Sequence, residues 1–441
     1  MKKIIALVLT VFILCTAVVG CSPKDSDVIE LTFWHLMSGN GGEALQRQVD
    51  AFNNGIGAEK GIKVKTVYVD WPGTSAFATA LASGNSSSMP DVFQLYGEMV
   101  SYVSELDSVM WAEDYINTEH SQISKEDFVP ATLEAFTIND KLLSLPYAIS
   151  TLLLYYNETY LNEAGYSAPP STIDELASML PNIVNKTDAQ YGIHTKIGDY
   201  ELENFITIQG ANGSYVTDNH NGRTGSVTEL ICEEQLSAFL NEWNKVIDTN
   251  TVNYSSASTT EEFATGIDAM ALMTSARIAD VEKMVGDSFE WGVTGIPVVN
   301  PTDAGGSTVN GSSIVMFDHN DDRRAQATLT FMEYLTSTEA QTMLMEDMGY
   351  LPVNVNTLNY DPYKEAIVKQ PQLGVLFEVL NKAPSTAVMS FFPNNSEINN
   401  AMYNAIEKFS KKEISATEAT SKIISDCKGI LDEYYRTNSK D

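Results

Sequence analysis

Apolar runs of strand length alternate along the chain with longer segments whose apolar residues recur every three or four positions. Three strand-like runs open the folded part: IELTFW, GIKVKTVYV and DVFQLY. Between them, EALQRQVDAFN carries its apolar residues at helical spacing, and SAFATALASG predicts a second helix. This alternation predicts an α/β fold with a largely parallel sheet.

The second half of the chain adds fewer but similar signals. WGVTGIPVV and SSIVMF predict two further strands, and residues 323–349 predict two consecutive helices. The Ser/Thr-rich stretch YSSASTTEEF is typical of the entry to a helix. A chain of 441 residues is long enough for two domains with separate cores.

The N-terminus has the pattern of an export signal. Two lysines precede an uncharged apolar run over residues 4–20, and Cys21 follows. This run is marginal for a permanent membrane span. The quartet VVGC resembles the lipobox of bacterial lipoproteins. It implies a signal peptide over residues 1–20, a lipid on Cys21 and a linker over residues 21–27, with a plain secretory signal as the alternative.

A glycine pattern follows the first predicted strand. Gly39, Gly41 and Ala44 fit G-x-G-x-x-G/A between a strand and a helix, and Asp70 could serve as the ribose acid of a dinucleotide site. Asp70 lies 26 residues beyond Ala44, where about 20 are expected. We therefore favour a strand-to-helix loop whose backbone N–H groups face a polar ligand.

Net charge excludes two classes of partner. The formal net charge is −31, and it becomes −33 once the two lysines of the signal are removed. So acidic a chain has no basic patch for nucleic acid or for an anionic membrane surface.

Metal and cofactor signals are absent from the sequence. The five histidines are scattered, and neither HExxH nor paired C-x-x-C spacing occurs. We expect no metal and no cofactor. Cys232 and Cys427 remain in the folded part, and the sequence does not decide whether they pair.

An ordered set of short motifs resembles a known family. FWHLMSGNGG, PDVFQL, LPYAISTLLLYYN, PPSTIDEL, FATGIDAM, GIPVV and GYLPV occur in this order. The chain after Ser26 thereby resembles extracellular solute-binding proteins of carbohydrate ABC importers. FWH, YYN, LENF and GYLP are most similar to the branch that binds glycerol-3-phosphate.

This resemblance implies a two-lobed periplasmic-binding-protein fold of class II, with three crossings and a ligand cleft between the lobes. The N-terminal lobe is expected over residues 28–147 plus 297–350, and the C-terminal lobe over 148–296 plus 351–441. The crossings are expected near residues 145–151, near 295–298 and after Tyr350.

Three candidate ligand contacts lie beyond strand ends. Sugars need polar groups around the ring and aromatic faces above it. Trp71, in VDWPG, is a stacking candidate or a surface packing residue. Tyr96 and Glu98 follow DVFQLY; the resemblance implies a ligand-binding acid there, although an ungapped match falls on Gly97.

Further contacts follow from the resemblance alone. Asp199 and Tyr200 occupy the region where the phosphate-ester branch has tryptophans, and a carboxylate there suits a sugar hydroxyl. The resemblance also implies ligand contacts at Ser150, Ser275, Gly311 and Tyr350. Each has an ordinary structural alternative, such as a capping serine, a turn glycine or a core tyrosine.

One departure from the branch bears on the charge of the ligand. The glycerol-3-phosphate branch has an arginine in the segment that corresponds to APSTAVMSFFPNNSEI, whereas no basic residue occurs between Lys382 and Lys408. Phe391 or Phe392 falls at its place. A phosphate opposite a phenyl ring would leave its charge uncompensated, so we expect a neutral sugar, in particular an oligosaccharide, with Phe391 as a contact. Binding of glycerol-3-phosphate with Arg277 as the cation is the alternative.

The resemblance further implies a carbohydrate ligand, membrane permease subunits as partners and a monomeric chain. A secreted glycosidase is the remaining alternative, because such enzymes need two suitably spaced carboxylates. With 58 acidic residues any pair can be nominated, so we expect a binding protein without catalytic residues.

Overall fold

The computed structural model describes residues 28–71, 73–83 and 88–438, apart from the side chain of Glu98. The predicted signal peptide, Cys21 and the linker lie outside the described residues. Within the described part, no helix combines the length and apolarity that a membrane crossing requires.

Thirteen strands lie in the described residues, most of them in two sheets. In chain order they are β1 Ile29–His35, β2 Ile62–Tyr68, β3 Val92–Tyr96, β4 Val109–Met110, β5 Thr137–Ile138, β6 Lys141–Leu142, β7 Leu145–Ser150, β8 Leu152–Asn157, β9 Tyr191–His194, β10 Val252–Asn253, β11 Asp268–Thr274, β12 Trp291–Gly295 and β13 Asn310–Phe317.

The α-helices of the described residues surround these sheets. They are α1 Gly39–Asn54, α2 Ile56–Lys60, α3 Thr74–Ala82, α4 Gly97–Ser104, α5 Ala112–Tyr115, α6 Pro130–Glu134, α7 Glu158–Ala164, α8 Ile173–Lys186, α9 Asp199–Thr207, α10 Glu233–Asp248, α11 Thr259–Ala264, α12 Ile278–Val285, α13 Asp322–Leu335, α14 Thr338–Met348, α15 Asp361–Lys369, α16 Val375–Lys382, α17 Asn395–Ser410 and α18 Ala416–Asn438. The segment Asp218–Gly222 is a turn whose three central residues have positive φ.

The first sheet has the order β2-β1-β3-β13-β4, with β7 also pairing β13. β1 pairs β2 and β3 in parallel, as the strand and helix alternation predicts. β13 enters from later in the chain and runs antiparallel to its three neighbours. The sheet is therefore mixed rather than largely parallel.

The second sheet has the order β10-β9-β11-β8-β12. β9, β10 and β11 are parallel, whereas β8 runs antiparallel to β11 and to β12. We call the elements packed around each sheet the first and the second lobe.

The chain passes between the lobes at identifiable positions. Thr151 alone separates β7 of the first sheet from β8 of the second. After β12, Val298 bridges Thr172 and the amide of Ala304 donates to Gly210, so residues 298–308 stay with the second lobe until β13 begins. The chain therefore returns to the first lobe later than the predicted boundary at residue 297, because residues 298–308 make hydrogen bonds to the second lobe.

The third passage follows Tyr350. Asn354 still bridges Phe128 of the first lobe, whereas the Gln372 side chain donates to the carbonyl of Trp291 at 3.0 Å. The other predicted lobe boundaries stay predictions.

The second lobe buries both cysteines of the described part. Cys232 and Cys427 lie in its apolar core and are free thiols. Burial raises the pKa of each to about 12, so both are inert packing residues at neutral pH.

Candidate ligand-binding site

A cleft of about 670 Å³ lies between the two lobes, at the ends of several strands. Strand ends and helix starts bring to it residues from separate parts of the chain. Seven of the predicted contacts line it: Trp71, Tyr96, Ser150, Asp199, Tyr200, Gly311 and Tyr350. Neither Ser275 nor Phe391 does. The side chain of Glu98 lies outside the described part of the chain. Its neighbour Gly97 lines the cleft.

The first turn of α1 forms one wall. Gly39 and Gly41 of the glycine pattern line the cleft together with Asn40 and Ser38. Ser38 is the N-cap residue of α1 and has an extended backbone conformation, but its side chain makes no capping hydrogen bond. The first N–H groups of a helix lack partners inside the helix, so this wall offers donors to a polar ligand.

Aromatic side chains form a second wall. Trp71 is 53 % exposed, and its ring meets that of Tyr96 edge to face, with 4.7 Å between centroids. Tyr350 lies beside Tyr96, and burial raises the pKa of both phenols. The exposed indole face is therefore available for a ligand, while the two phenols stay protonated.

Gly311 is a position where only glycine fits. Its φ is +116°, and a Cβ atom would stand 2.1 Å from the carbonyl oxygen of Ala148. The neighbouring Asn310 side chain accepts the Gly311 N–H and also lines the cleft. Glycine at this position thus allows β13 to pair closely with β7 where Gly311 lines the cleft.

Helix α9 supplies the polar floor. Asp199 begins the helix, and burial raises its pKa. The hydroxyl of Tyr200 is buried and makes no well-formed hydrogen bond to the nearby Thr274 or Asn310. A buried donor without a partner is costly, so Tyr200 is poised to bind a ligand oxygen.

Glu203 is a cleft residue that the sequence analysis missed. It is 2 % exposed, and its Oε2 accepts a hydrogen bond from the Ser390 N–H at 2.8 Å. Burial raises its pKa to about 7. Glu203 follows Asp199 by four residues and so lies on the same face of the helix. This spacing was the sequence signal that could have identified it.

Arg277 and Asp280 also line the cleft. The Arg277 guanidinium contacts the Asp280 carboxylate at 3.2 Å, and the Arg277 side chain is 52 % exposed. Asn40 of the first lobe donates to the other Asp280 oxygen at 2.9 Å. The only basic side chain that lines the cleft among the described residues is therefore already paired.

Ser275 lies beneath the cleft. It is fully buried, and its hydroxyl accepts the Thr151 N–H at 3.3 Å. Its neighbours Thr274 and Ala276 line the cleft in its place. Ser275 therefore supports the passage between the lobes at Thr151.

Phe391 and Phe392 are both packing residues. Phe391 is 5 % exposed and belongs to the apolar cluster on one face of the first sheet, and Phe392 belongs to the core of the second lobe. The Arg223 guanidinium lies 4.2 Å from the centre of the Phe391 ring. Phe391 therefore contacts a cation rather than the contents of the cleft.

Arg223 is a buried arginine with no counterpart among the predicted contacts. It is 4 % exposed, and burial lowers its pKa to about 10. Its N–H groups donate to four backbone carbonyls, those of Glu134, Ala135, Asn221 and Met389. Because the first two belong to the first lobe and the others to the second, Arg223 joins the lobes.

The two mixed sheets, the passages between them and the polar cleft define a two-lobed binding protein. The chain belongs to the bacterial extracellular solute-binding protein family, whose model matches residues 47–371. The predicted family is thereby confirmed, and the chain is an extracytoplasmic solute-binding protein.

Several relatives match this chain at low sequence identity but over most of its length. The sn-glycerol-3-phosphate-binding periplasmic protein UgpB of Yersinia enterocolitica is 24 % identical over 84 % of this chain and 85 % of its own length. UgpB of Escherichia coli O1:K1 is 26 % identical over 81 % and 82 %. These relatives are binding proteins.

Solved structures confirm the predicted fold class. The cyclic alpha-maltosyl-1,6-maltose binding protein of Arthrobacter globiformis has a TM-score of 0.74 at 20 % identity, over 92 % of this chain and 100 % of its own. UgpB of Mycobacterium tuberculosis, solved with glycerophosphocholine, has a TM-score of 0.73 at 19 % identity, over 92 % and 99 %.

Proposed function

We propose that this protein captures a neutral carbohydrate, in particular an oligosaccharide, in the cleft and delivers it to the permease subunits of an ABC importer. The observation that carries this proposal is the charge of the cleft. Asp199, Glu203 and Asp280 line it, whereas Arg277 is the one basic side chain that does so in the described part. A neutral polyol can exchange hydroxyl hydrogen bonds with these carboxyl groups whether or not they are ionised, while an anion would find no unpaired cation among the described residues that line the cleft.

The aromatic wall supports the same ligand class. The exposed face of Trp71 can stack on the C–H face of a sugar ring, at a gain of roughly 1 kcal/mol beyond area burial. Tyr200 and the first turn of α1 supply donors for the ring hydroxyls.

Glycerol-3-phosphate is the second candidate, because the named relatives bind it. Its phosphate would need a cation, and Arg277 would have to leave Asp280 to pair with it. Arg223 is held by four carbonyl groups and does not line the cleft. The phosphate ester is therefore the less favourable ligand.

The proposal extends to the setting of the protein. We propose a monomer without catalytic activity, anchored to the bacterial cell membrane by lipid on Cys21. Mass spectrometry of the membrane-extracted N-terminus would then find diacylglycerol at Cys21, whereas an unmodified chain with another start would contradict the anchor.

Titration calorimetry with neutral saccharides of increasing length and with glycerol-3-phosphate tests the ligand. We expect heat with a neutral saccharide and none with the phosphate ester. Tight phosphate-ester binding that is lost in Arg277→Ala would instead favour the second candidate. Chromatography of the saccharide after incubation tests the absence of catalysis, because any hydrolysis product would contradict it.

A further inference from the structure

A cluster of metal-ligating side chains lies in the second lobe, apart from the residues that line the cleft. His194 ends β9, Asp268 begins β11, and Glu262 lies in α11. One ligand atom from each lies within 4.8 Å of the others. We propose that these three side chains bind one divalent transition-metal ion of the Zn²⁺ type.

The two distances from the imidazole to the carboxylates are close to those of a coordination shell. The Nδ1 atom of His194 lies 3.1 Å from Oε2 of Glu262 and 3.1 Å from Oδ2 of Asp268. Zn²⁺ ligand bonds of 2.0–2.2 Å place neighbouring ligand atoms roughly 3 to 3.5 Å apart. Hydrogen bonding alone explains the arrangement less well, because Nδ1 carries at most one hydrogen and faces two carboxylates.

Charge balance also calls for a cation. Asp268 is fully buried, the His194 side chain is 1 % exposed and that of Glu262 is 19 % exposed. No lysine or arginine of the described residues forms an ion pair with either carboxylate. Buried charges need a counter-charge, and a divalent ion with a neutral imidazole would make the cluster neutral.

Neutral donors hold the two carboxylates in place. The amide nitrogen of Asn253 donates to Oε2 of Glu262 at 3.0 Å and to Oδ1 of Asp268 at 2.9 Å, and the Ser255 hydroxyl donates to Glu262 at 2.8 Å. The Ser255 N–H donates to the Asn253 oxygen, which fixes the orientation of the amide. Such contacts around the ligands are typical of metal sites.

The ligand set selects the kind of metal. One imidazole with two carboxylates suits Zn²⁺, whereas Ca²⁺ takes six to eight oxygen ligands. Glu262 is partly exposed and leaves room for water in the remaining positions. The ion would tie α11 to β9 and β11 and so stabilise the second lobe. The expectation of no metal rested on compact motifs, and these ligands are 68 and 6 residues apart.

Metal content and thermal stability test the site. The protein is stripped with a chelator and titrated with Zn²⁺ in excess Mg²⁺, which occupies weak surface carboxylates. We expect one Zn²⁺ per chain by elemental analysis after desalting, and a higher Tm. Glu262→Gln should weaken Zn²⁺ binding roughly 100-fold or more, beyond the 10- to 100-fold cost of losing an outer contact.

Glu261→Gln is the matched control, because this neighbouring acid is exposed and outside the cluster. It should retain the stoichiometry and the Tm shift. The proposal is wrong if the wild-type protein retains no Zn²⁺, if Glu262→Gln binds Zn²⁺ as the wild type does, or if Ca²⁺ displaces Zn²⁺ at equal concentration. None of these readouts depends on the ligand of the cleft.

Discussion

Glu203→Gln tests how the cleft holds a buried carboxylate. Glu203 is 2 % exposed, and its Oε2 accepts the Ser390 N–H. Burial raises the pKa of Glu203 from 4.5 to about 7; the hydrogen bond from Ser390 opposes this rise, and the Asp199 carboxylate adds to it. Glutamine keeps an acceptor oxygen for Ser390 and does not ionise.

The magnitude follows from the two pKa values. An acid whose pKa is higher in the folded chain stabilises the fold fully below about pH 4.5, and this stability is lost as the pH rises through about 7. The whole effect is roughly 3 kcal/mol, of which about 2.5 kcal/mol falls between pH 5 and pH 8. We expect the Glu203→Gln variant to gain that amount relative to the wild type over this interval.

Urea unfolding at pH 5, 6, 7 and 8 measures the difference. Glu201, whose pKa is also raised to about 7, is present in both proteins and cancels. Glu418→Gln is the control, because hydrogen bonds from Ser415 lower the pKa of this exposed acid and it titrates below the interval. Parallel pH dependence of wild type and Glu203→Gln would refute the reasoning.

Three further predictions concern the cleft and the contacts between the lobes. Trp71→Ala should weaken saccharide binding about fivefold in calorimetry, through lost stacking of about 1 kcal/mol; unchanged affinity would place the sugar elsewhere. Asn40→Ala removes the contact to Asp280 across the cleft, so solution scattering should report a larger radius of gyration without ligand; an unchanged radius would contradict this role. Arg223→Ala should lower the free energy of unfolding by roughly 3 kcal/mol or more, because it leaves four carbonyls without their donor; a loss below about 1 kcal/mol would show that water replaces the guanidinium.

Hydrophobic periodicity predicted the elements of the first lobe well. The alternation in β1 buries Leu31, Phe33 and His35, and α1 buries Leu45 and Phe52 among others, because apolar spacing reports directly which face is covered. The same pattern does not encode strand direction. β13 has the composition of any buried strand, and its antiparallel course depends on where the chain returns from the second lobe.

The candidate site was predictable where it lies at strand ends and helix starts. Asp199 and Tyr350 reach the cleft because the topology brings such positions to the same edge. Ser275 was predicted to contact the ligand, but it lies in a short turn whose side chains alternate in direction. Thr274 and Ala276 line the cleft, whereas Ser275 between them is buried. The three-ligand cluster was missed because its members meet only after β9, α11 and β11 pack together.

Arg223 changes the reason for expecting a neutral ligand. A phenyl ring stands in the segment where the glycerol-3-phosphate branch has its cation, yet the Arg223 guanidinium lies directly against Phe391. Its N–H groups are taken up by backbone carbonyls of both lobes. To bind a phosphate, Arg223 would have to abandon contacts that join the lobes, which costs more than a single charge-assisted hydrogen bond returns. We therefore expect a neutral ligand for two reasons. The Arg223 guanidinium is present, but its N–H groups are already hydrogen-bonded. The acidic side chains that line the cleft also outnumber Arg277.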